Sequence, residues 1–273
     1  MREYFKNIAG ETLNVINDGY YINDLKERVD IRDLVNKAVD GTELISEFRD
    51  YSKTSNASFN KSKPAIVNNS TINTIIELRN SGISGNIVAL NFASARNPGG
   101  GFETGANAQE ESIARASSLY PCLIKCSEFY EFHRKQGSPL YSDKIIYSPD
   151  VPIFRDDSGK FLNKPVLCSF ITSPAVNANV ARGRKISESI IKETMNIRIS
   201  NILKLALNKN PSAIVLGAFG CGVFGNNPKD ISHMFALKLK ENMKSISDIK
   251  IVFAIYDRNM TMIDIFRKEL NNL

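Results

Sequence analysis

Gly99-Gly100-Gly101 is followed, after the seven residues from Phe102 to Ala108, by Gln109-Glu110-Glu111. No other stretch of the 273 residues combines so much backbone freedom with so much charge. Three glycines remove every Cβ from a short loop, so main-chain N–H groups can approach a ligand closely and φ can turn positive at no steric cost. A carboxylate pair just beyond faces whatever that loop holds and can perform acid–base work on it. Adjacent helical residues point about 100° apart, so the spacing favours one reacting carboxylate with one supporting neighbour. It does not give the flanking pair of many glycosidases. The bland alternative is capping, since a helix N-terminus favours negative charge by ~0.3–1 kcal/mol.

A second glycine loop, GAFGCGVFGNNP, occupies residues 217–228. Glycines at 217, 220, 222 and 225 supply N–H groups able to wrap an anion, and the helix predicted from Pro228 adds its positive end. A diphosphate is a natural occupant. The spacing Gly220-x-Gly222-x-x-Gly225 satisfies GxGxxG, but the acidic ribose-binding partner of a dinucleotide fold is not evident. Neither loop ends in Gly-Lys-Ser/Thr, which disfavours an NTPase. Each loop carries an aromatic, Phe102 or Phe224, that stacks on a ribose or base or else caps the core; for either loop alone, a simple glycine-rich turn is the alternative.

The elements that must position these loops follow from pattern. Residues 2–17 have near-helical apolar spacing with Gly10 a weak point, and Asp18-Gly19 leads into a small hairpin around residues 20–31. A helix-like run follows over residues 33–51, then a polar Ser, Asn and Lys-rich stretch, 52–63, as boundary or mobile linker. Beyond it strands and helices alternate. Strands are predicted at 64–67, 87–92, 145–147, 151–154, 166–172, 213–219 and 250–256. Helices are predicted from 70, over 109–120 with a stop or bend at Pro121, on to about 135, and over 186–207, 228–243 and 262–270. Such alternation implies an α/β layered domain with a largely parallel sheet, whose ligands bind beyond the carboxyl ends of the strands. Both glycine loops would then open at one sheet edge.

Composition sets outer bounds. A hydrophobic fraction of 42% and a charged fraction of 23% are those of an ordinary globular protein. The formal charge of +6 favours polyanionic partners, against the alternative of a merely solvated basic surface. No apolar run reaches membrane-span length and the N-terminus lacks a signal-peptide pattern, so an intracellular, cytoplasmic protein is expected. Four cysteines suit reduced thiols. Cys122, Cys126 and His133 lack an evident fourth ligand, so no metal is expected, and two histidines give little support to a Ser-His-Asp hydrolase.

With both loops in view, the chain resembles the poly(ADP-ribose) glycohydrolases of the bacterial or microbial type, whose signature is GGG, six to eight residues, then QEE. NFASARNPGGGF, SPDVPIFRDD (148–157), ITSPAVNA (171–178), GAFGCGVFGN (217–226) and the N-terminal IAGET extend the likeness over nearly the whole chain. The resemblance implies a three-layer α/β/α macrodomain-like fold with a mixed, largely parallel sheet in residues 63–273, and a mostly helical N-terminal accessory segment in residues 1–62. It implies a glycosidase that releases ADP-ribose from poly(ADP-ribose), acting as a monomer without a cofactor. Glu111 matches the catalytic glutamate, and Glu110 the neighbour that hydrogen-bonds the distal ribose. Gly99, Gly100 and Gly101 match the loop beside that ribose, with Asn97 and Gln109 among the ADP-ribose-binding residues. Gly220, Cys221, Gly222, Val223, Phe224 and Gly225 match the diphosphate loop, with Phe224 packed against the distal ribose. The same fold acting on mono-ADP-ribosylated protein or nucleic acid, or binding ADP-ribose without turnover, is the alternative.

Overall fold

A computed structural model describes residues 1–50, 63–243, 246 and 248–271; the polar stretch expected as a linker falls almost wholly outside these. The chain begins with α1 (Arg2–Asp18), a hairpin of β1 (Tyr20–Ile22) and β2 (Arg28–Asp30), α2 (Arg32–Asp40) and β3 (Glu43–Ile45). There follow β4 (Ala65–Val67), α3 (Thr71–Asn80), β5 (Ile87–Phe92), α4 (Gln109–Ala116), α5 (Leu119–Lys125) and α6 (Ser127–Gln136). A long antiparallel pair, β6 (Ile145–Arg155) and β7 (Phe161–Ser173), leads to α7 (Ala178–Gly183) and α8 (Glu188–Asn208). Last come β8 (Ala213–Leu216), α9 (Pro228–Glu241), β9 (Lys250–Ala254) and α10 (Thr261–Leu270).

The central strands are apolar on both faces, and alternation sorts their side chains. Val88 and Leu90 of β5, Ile214 and Leu216 of β8, and Ile251 and Phe253 of β9 enter one core with α8, α9 and α10. Ile87, Ala89, Ala213, Val215, Val252 and Ala254 enter a second core with α3 and the α4–α6 region. A sheet buried on both faces requires this period-two division. Seven strands form it in the order β3-β6-β7-β5-β8-β9-β4. β7, β5, β8, β9 and β4 run parallel; at one edge β6 pairs antiparallel with β7, and β3 pairs antiparallel with β6 and so runs with the others. The expected mixed, largely parallel sheet between helical layers is what forms. Its edge strand β3 comes from residues 43–45, on the N-terminal side of the expected boundary at 62.

Several boundaries differ from expectation. The run expected as one helix over 33–51 is α2 followed by β3, because Leu44 and Ile45 find an edge to pair with on β6. The strands expected at 145–147 and 151–154 are one strand, β6, with a register shift between Ser148 and Val151 where Asp150 takes a φ of 45°. The helix expected to run to Tyr120 ends at Ala116: Ser117 is extended and bridges Ile153. Pro121 then lies in the first turn of α5, where its missing N–H costs no helical bond. The loop expected at 173–185 contains α7, capped by the Asn177 side chain accepting from the Val180 N–H.

The N-terminal helix braces the first glycine loop from behind. Ala9 of α1 packs with Phe102 and Ala114. Thr12 Oγ1 donates to the Arg115 carbonyl at 2.6 Å, and Arg2 Nε donates to the Thr104 carbonyl at 2.9 Å. On the other flank Arg198 of α8, 1% exposed, donates to the carbonyls of Leu140 and Pro174 and pairs with Asp143 at 3.1 Å. It thereby fixes the loop after α6 to the end of β7. Asp143→Ala should leave this buried guanidinium without its carboxylate and, since Asp143 is itself part-exposed, lower stability by roughly 1–2 kcal/mol, measured by urea unfolding.

Candidate active site

β5 and β8 are adjacent and parallel, so the loops after them leave the sheet side by side. The proximity is direct: a Cβ on Gly217 would lie 2.9 Å from the Phe92 ring at the end of β5. The expectation that both glycine loops open at one edge therefore holds in the structure.

In the first loop, Asn97 O accepts from the Gly100 N–H at 3.0 Å and closes the turn; the Asn97 side chain is exposed. Gly100 takes φ 62°, and a Cβ there would sit 2.3 Å from Glu111 Oε1 and 3.3 Å from Glu110 Oε2. Only a residue without a side chain lets the loop lie this close over both carboxylates. Glu111 is clasped by two backbone donors, Gly101 N–H to Oε1 and Ala108 N–H to Oε2, each at 3.0 Å. The second contact is the reach-back of a capping box, so the bland and the chemical readings of Glu111 coexist in one side chain.

Glu110 is different in kind. It is 3% exposed, with Oε2 accepting from the Ser94 N–H at 2.6 Å. Burial, partly offset by that hydrogen bond and reinforced by the neighbouring Glu111, pushes its carboxyl up to about 8. The buried Asn91 donates through Nδ2 to Thr172 Oγ1 at 3.2 Å and to Glu110 Oε1 at 3.4 Å, leaving Asn91 Oδ1 without a partner. Burial thus favours the protonated form of Glu110, while Glu111 is half-buried with its two oxygens held at the loop.

The Gln109 amide is engaged within the protein. Oε1 accepts from Phe92 N–H at 2.8 Å, and Nε2 donates to Leu90 O and Thr71 Oγ1. It ties the start of α4 to the end of β5 and so sets where the next two residues point. Phe102 is 1% exposed and packs on Tyr120, which makes it a core cap and removes it as a stacking group.

In the second loop, turns close through Cys221 N–H to Ala218 O and Gly225 N–H to Gly222 O. Among the described residues the N–H groups of Gly220, Gly222, Val223 and Phe224 meet no acceptor, so the last three form a consecutive row of free donors, the arrangement that takes up an anion. Asn226, buried, stitches the loop to Gly220 O and Val176 O, and Asn179 of α7 donates to Val223 O. A Cβ on Gly225 would clash with the Asn179 amide at 2.2 Å. Burial pushes the Cys221 thiol up to about 12, so at this position it is a small neutral side chain.

Sequence reading missed Tyr141. Its ring lies 6.1 Å from that of Phe224, in a backbone at φ 57° that a tyrosine rarely adopts. The residues around it are pinned: Leu140 and Asp143 by Arg198, and Ser142 by His133, whose Nε2 accepts from the Ser142 N–H while Nδ1 bonds the Phe129 carbonyl. Burial lowers His133 to about 4, which keeps it neutral in this role; both its nitrogens are occupied, away from any metal chemistry with Cys122 or Cys126. Nothing in the local sequence marks Tyr141, because its neighbour Phe224 is distant in the chain. His233 is exposed and pairs with Glu269 at 3.2 Å.

A model of the microbial-type PARG catalytic domain matches residues 9–156. Among solved structures, the poly(ADP-ribose) glycohydrolase of Thermomonospora curvata matches with a TM-score of 0.88 at 35% identity, over 98% of this chain and 100% of that one. A structure of that enzyme bound to the inhibitor ADP-HPD gives 0.86 at 33% identity, over 98% and 99%. The poly(ADP-ribose) glycohydrolase of Deinococcus radiodurans in complex with ADP-ribose gives 0.74 at 32%, over 88% and 98%. No curated protein sequence matches the chain.

Because the folded state holds the Glu110 proton more tightly than the unfolded chain, its stabilising contribution is complete below pH 4.5 and is lost as pH rises to about 8. The full shift corresponds to on the order of 5 kcal/mol. The melting temperature of the wild type should therefore fall relative to that of Glu110→Gln between pH 5 and pH 8. Parallel pH profiles for the two proteins would contradict the assignment.

Proposed function

The chain belongs to the microbial-type PARG family, and on that premise we propose that it hydrolyses the ribose–ribose bond of poly(ADP-ribose) and releases ADP-ribose. The observation that carries this reading is Glu111, an accessible carboxylate clasped by Gly101 and Ala108 beside a buried, proton-holding Glu110.

The bond to be broken joins an anomeric carbon to a ribose oxygen of the next unit, and that oxygen must leave with a proton. Glu111, once protonated in the substrate complex, gives that proton to the departing oxygen as oxocarbenium character develops and regains one from the attacking water. Glu110 offers its hydrogen bond to a hydroxyl of the distal ribose. Gly99 to Gly101 lie along that ribose, with Asn97 at the turn and Gln109 setting the start of the helix. The row of N–H groups from Gly222 to Phe224, with Gly220, Cys221 and Gly225 shaping the loop, holds the diphosphate and so fixes the anomeric carbon against Glu111. Phe224, backed by Tyr141, packs against the distal ribose.

Residues 1–62 act as an accessory segment to the macrodomain-like unit of residues 63–273; the contacts of Ala9, Thr12 and Arg2 behind the first loop support that role. No helix among the described residues is long and apolar enough to cross a membrane. We place the enzyme in the cytoplasm as a monomer: four free thiols, three of them buried, suit a reducing compartment.

Incubation of the purified chain with poly(ADP-ribose) should release ADP-ribose. Glu111→Ala should lower kcat by roughly 10²–10⁴ while the Kd for ADP-ribose, read by calorimetry, changes only a few-fold. Tight ADP-ribose binding without turnover of polymer would leave a reader, and turnover confined to mono-ADP-ribosylated protein would move the substrate. Phe224→Ala should reduce kcat/KM by about tenfold or more through lost positioning, with little change in melting temperature; matching losses of both would reject its role.

A further inference from the structure

Five cations lie in a row between the two glycine loops, and among the described residues none of them has an ion-pair partner. They are Arg96, Arg134, Lys135, Arg184 and Lys185, all exposed. Their order in space is fixed by hydrogen bonds rather than by sequence. Arg134, near the end of α6, donates to the Arg96 carbonyl at 2.6 Å, and Arg96 immediately precedes the Asn97 that closes the GGG turn. Arg184, just past α7, donates to the carbonyl of Gly137 at the C-terminus of α6 at 2.8 Å, next to Lys185, which holds φ 59°. α7 itself is bound to the diphosphate loop through Asn179 to Val223 O and Arg182 to Gly225 O. The row therefore runs from the first loop, across the end of α6, to the foot of the second, along the rim behind Tyr141 and Phe224.

Cations at helix C-termini complement the macrodipole, and that alone would account for Arg134 and Lys135. It does not account for Arg96, in a loop before the glycines, or for the hydrogen bonds by which Arg134 and Arg184 tie that loop and α7 to the end of α6. By contrast Arg182 is neutralised by Glu188, and Arg198 by Asp143. Glu128 and Glu131 on α6 are the exposed acids beside the row, and Glu188 is taken up by Arg182, which leaves the five cations in excess.

We infer that this row is a docking track for the phosphates of the polymer beyond the ADP-ribose unit held in the site. This rests on the reading of the site as a poly(ADP-ribose) glycohydrolase. Each further unit brings a diphosphate, guanidinium forks match phosphate oxygens, and binding by such contacts is salt-dependent. The consequence is a preference for long chains over short ones that the terminal-unit pocket cannot itself supply.

The test uses the full chain carrying Glu111→Ala, so that binding is read without turnover, with and without Lys135→Glu and Lys185→Glu, two side chains that make no hydrogen bond among the described residues. Affinity for long poly(ADP-ribose) at low salt should fall roughly tenfold in the charge-reversed chain, and the salt dependence should become shallower. The Kd for free ADP-ribose should stay within twofold. Arg134→Gln with Arg184→Gln should lower polymer affinity in the same direction. Unchanged polymer affinity, or equal losses for polymer and ADP-ribose, would overturn the track. So would duplex DNA binding as tightly as polymer at equal phosphate, since the row would then be a general polyanion surface. If the chain lacking these substitutions at Glu111, Lys135 and Lys185 fails to hydrolyse polymer while charge reversal still weakens polymer binding, the glycohydrolase reading falls and the track stands.

Discussion

The clasp of Glu111 by the N–H groups of Gly101 and Ala108 is the contact on which the rest of the site depends. It draws the GGG loop down over the start of α4, and it works only because Gly100 carries no side chain where Glu111 Oε1 lies. The same closeness buries Glu110 beneath the loop, and burial raises its carboxyl to about 8. One piece of backbone geometry thus separates two chemically identical neighbours into an accessible carboxylate and a buried acid.

Around this contact the protein is built to resist movement. Gln109 locks α4 to β5, and α1 supports Phe102 and Ala114 from behind. On the opposite wall, buried Arg198 and neutral His133 hold the residues on either side of Tyr141, so that its ring meets Phe224 despite an unfavourable backbone conformation. Catalysis by positioning needs such fixed walls, because a shift of about 1 Å in the anomeric carbon is enough to cost two orders of magnitude. The rim outside those walls carries unneutralised charge, which suits a substrate that continues beyond the pocket as a polyanion.

Much of this was legible in the sequence. Glycine spacing, the QEE triplet and the apolar strands predicted at 87–92, 213–219 and 250–256, of which the last two end at 216 and 254, each follow from local rules: freedom at φ, charge at a helix start, burial on both faces of a strand. The α/β alternation follows from the same periodicities and placed both loops at the carboxyl edge. The N-terminal helix and hairpin were also evident, since α1 ends at Gly19 in the left-handed conformation expected of a C-terminal cap.

What sequence could not determine was set by contacts between residues far apart in the chain. β3 is a strand because an edge of β6 was available to Leu44 and Ile45; in isolation those residues continue a helical pattern. Phe102 and Phe224 look alike among their glycines, yet one is sealed by Ala9 and Tyr120 and the other left half-open beside Tyr141. Gln109 reads as a ligand contact until Leu90, Phe92 and Thr71 are seen around it. The sequence by itself determined which residue types stand at the site, because backbone freedom and charge are local properties. Only the tertiary structure decided which carboxylate is buried and which aromatic is open, because burial and its electrostatic consequences depend on what the rest of the chain brings alongside.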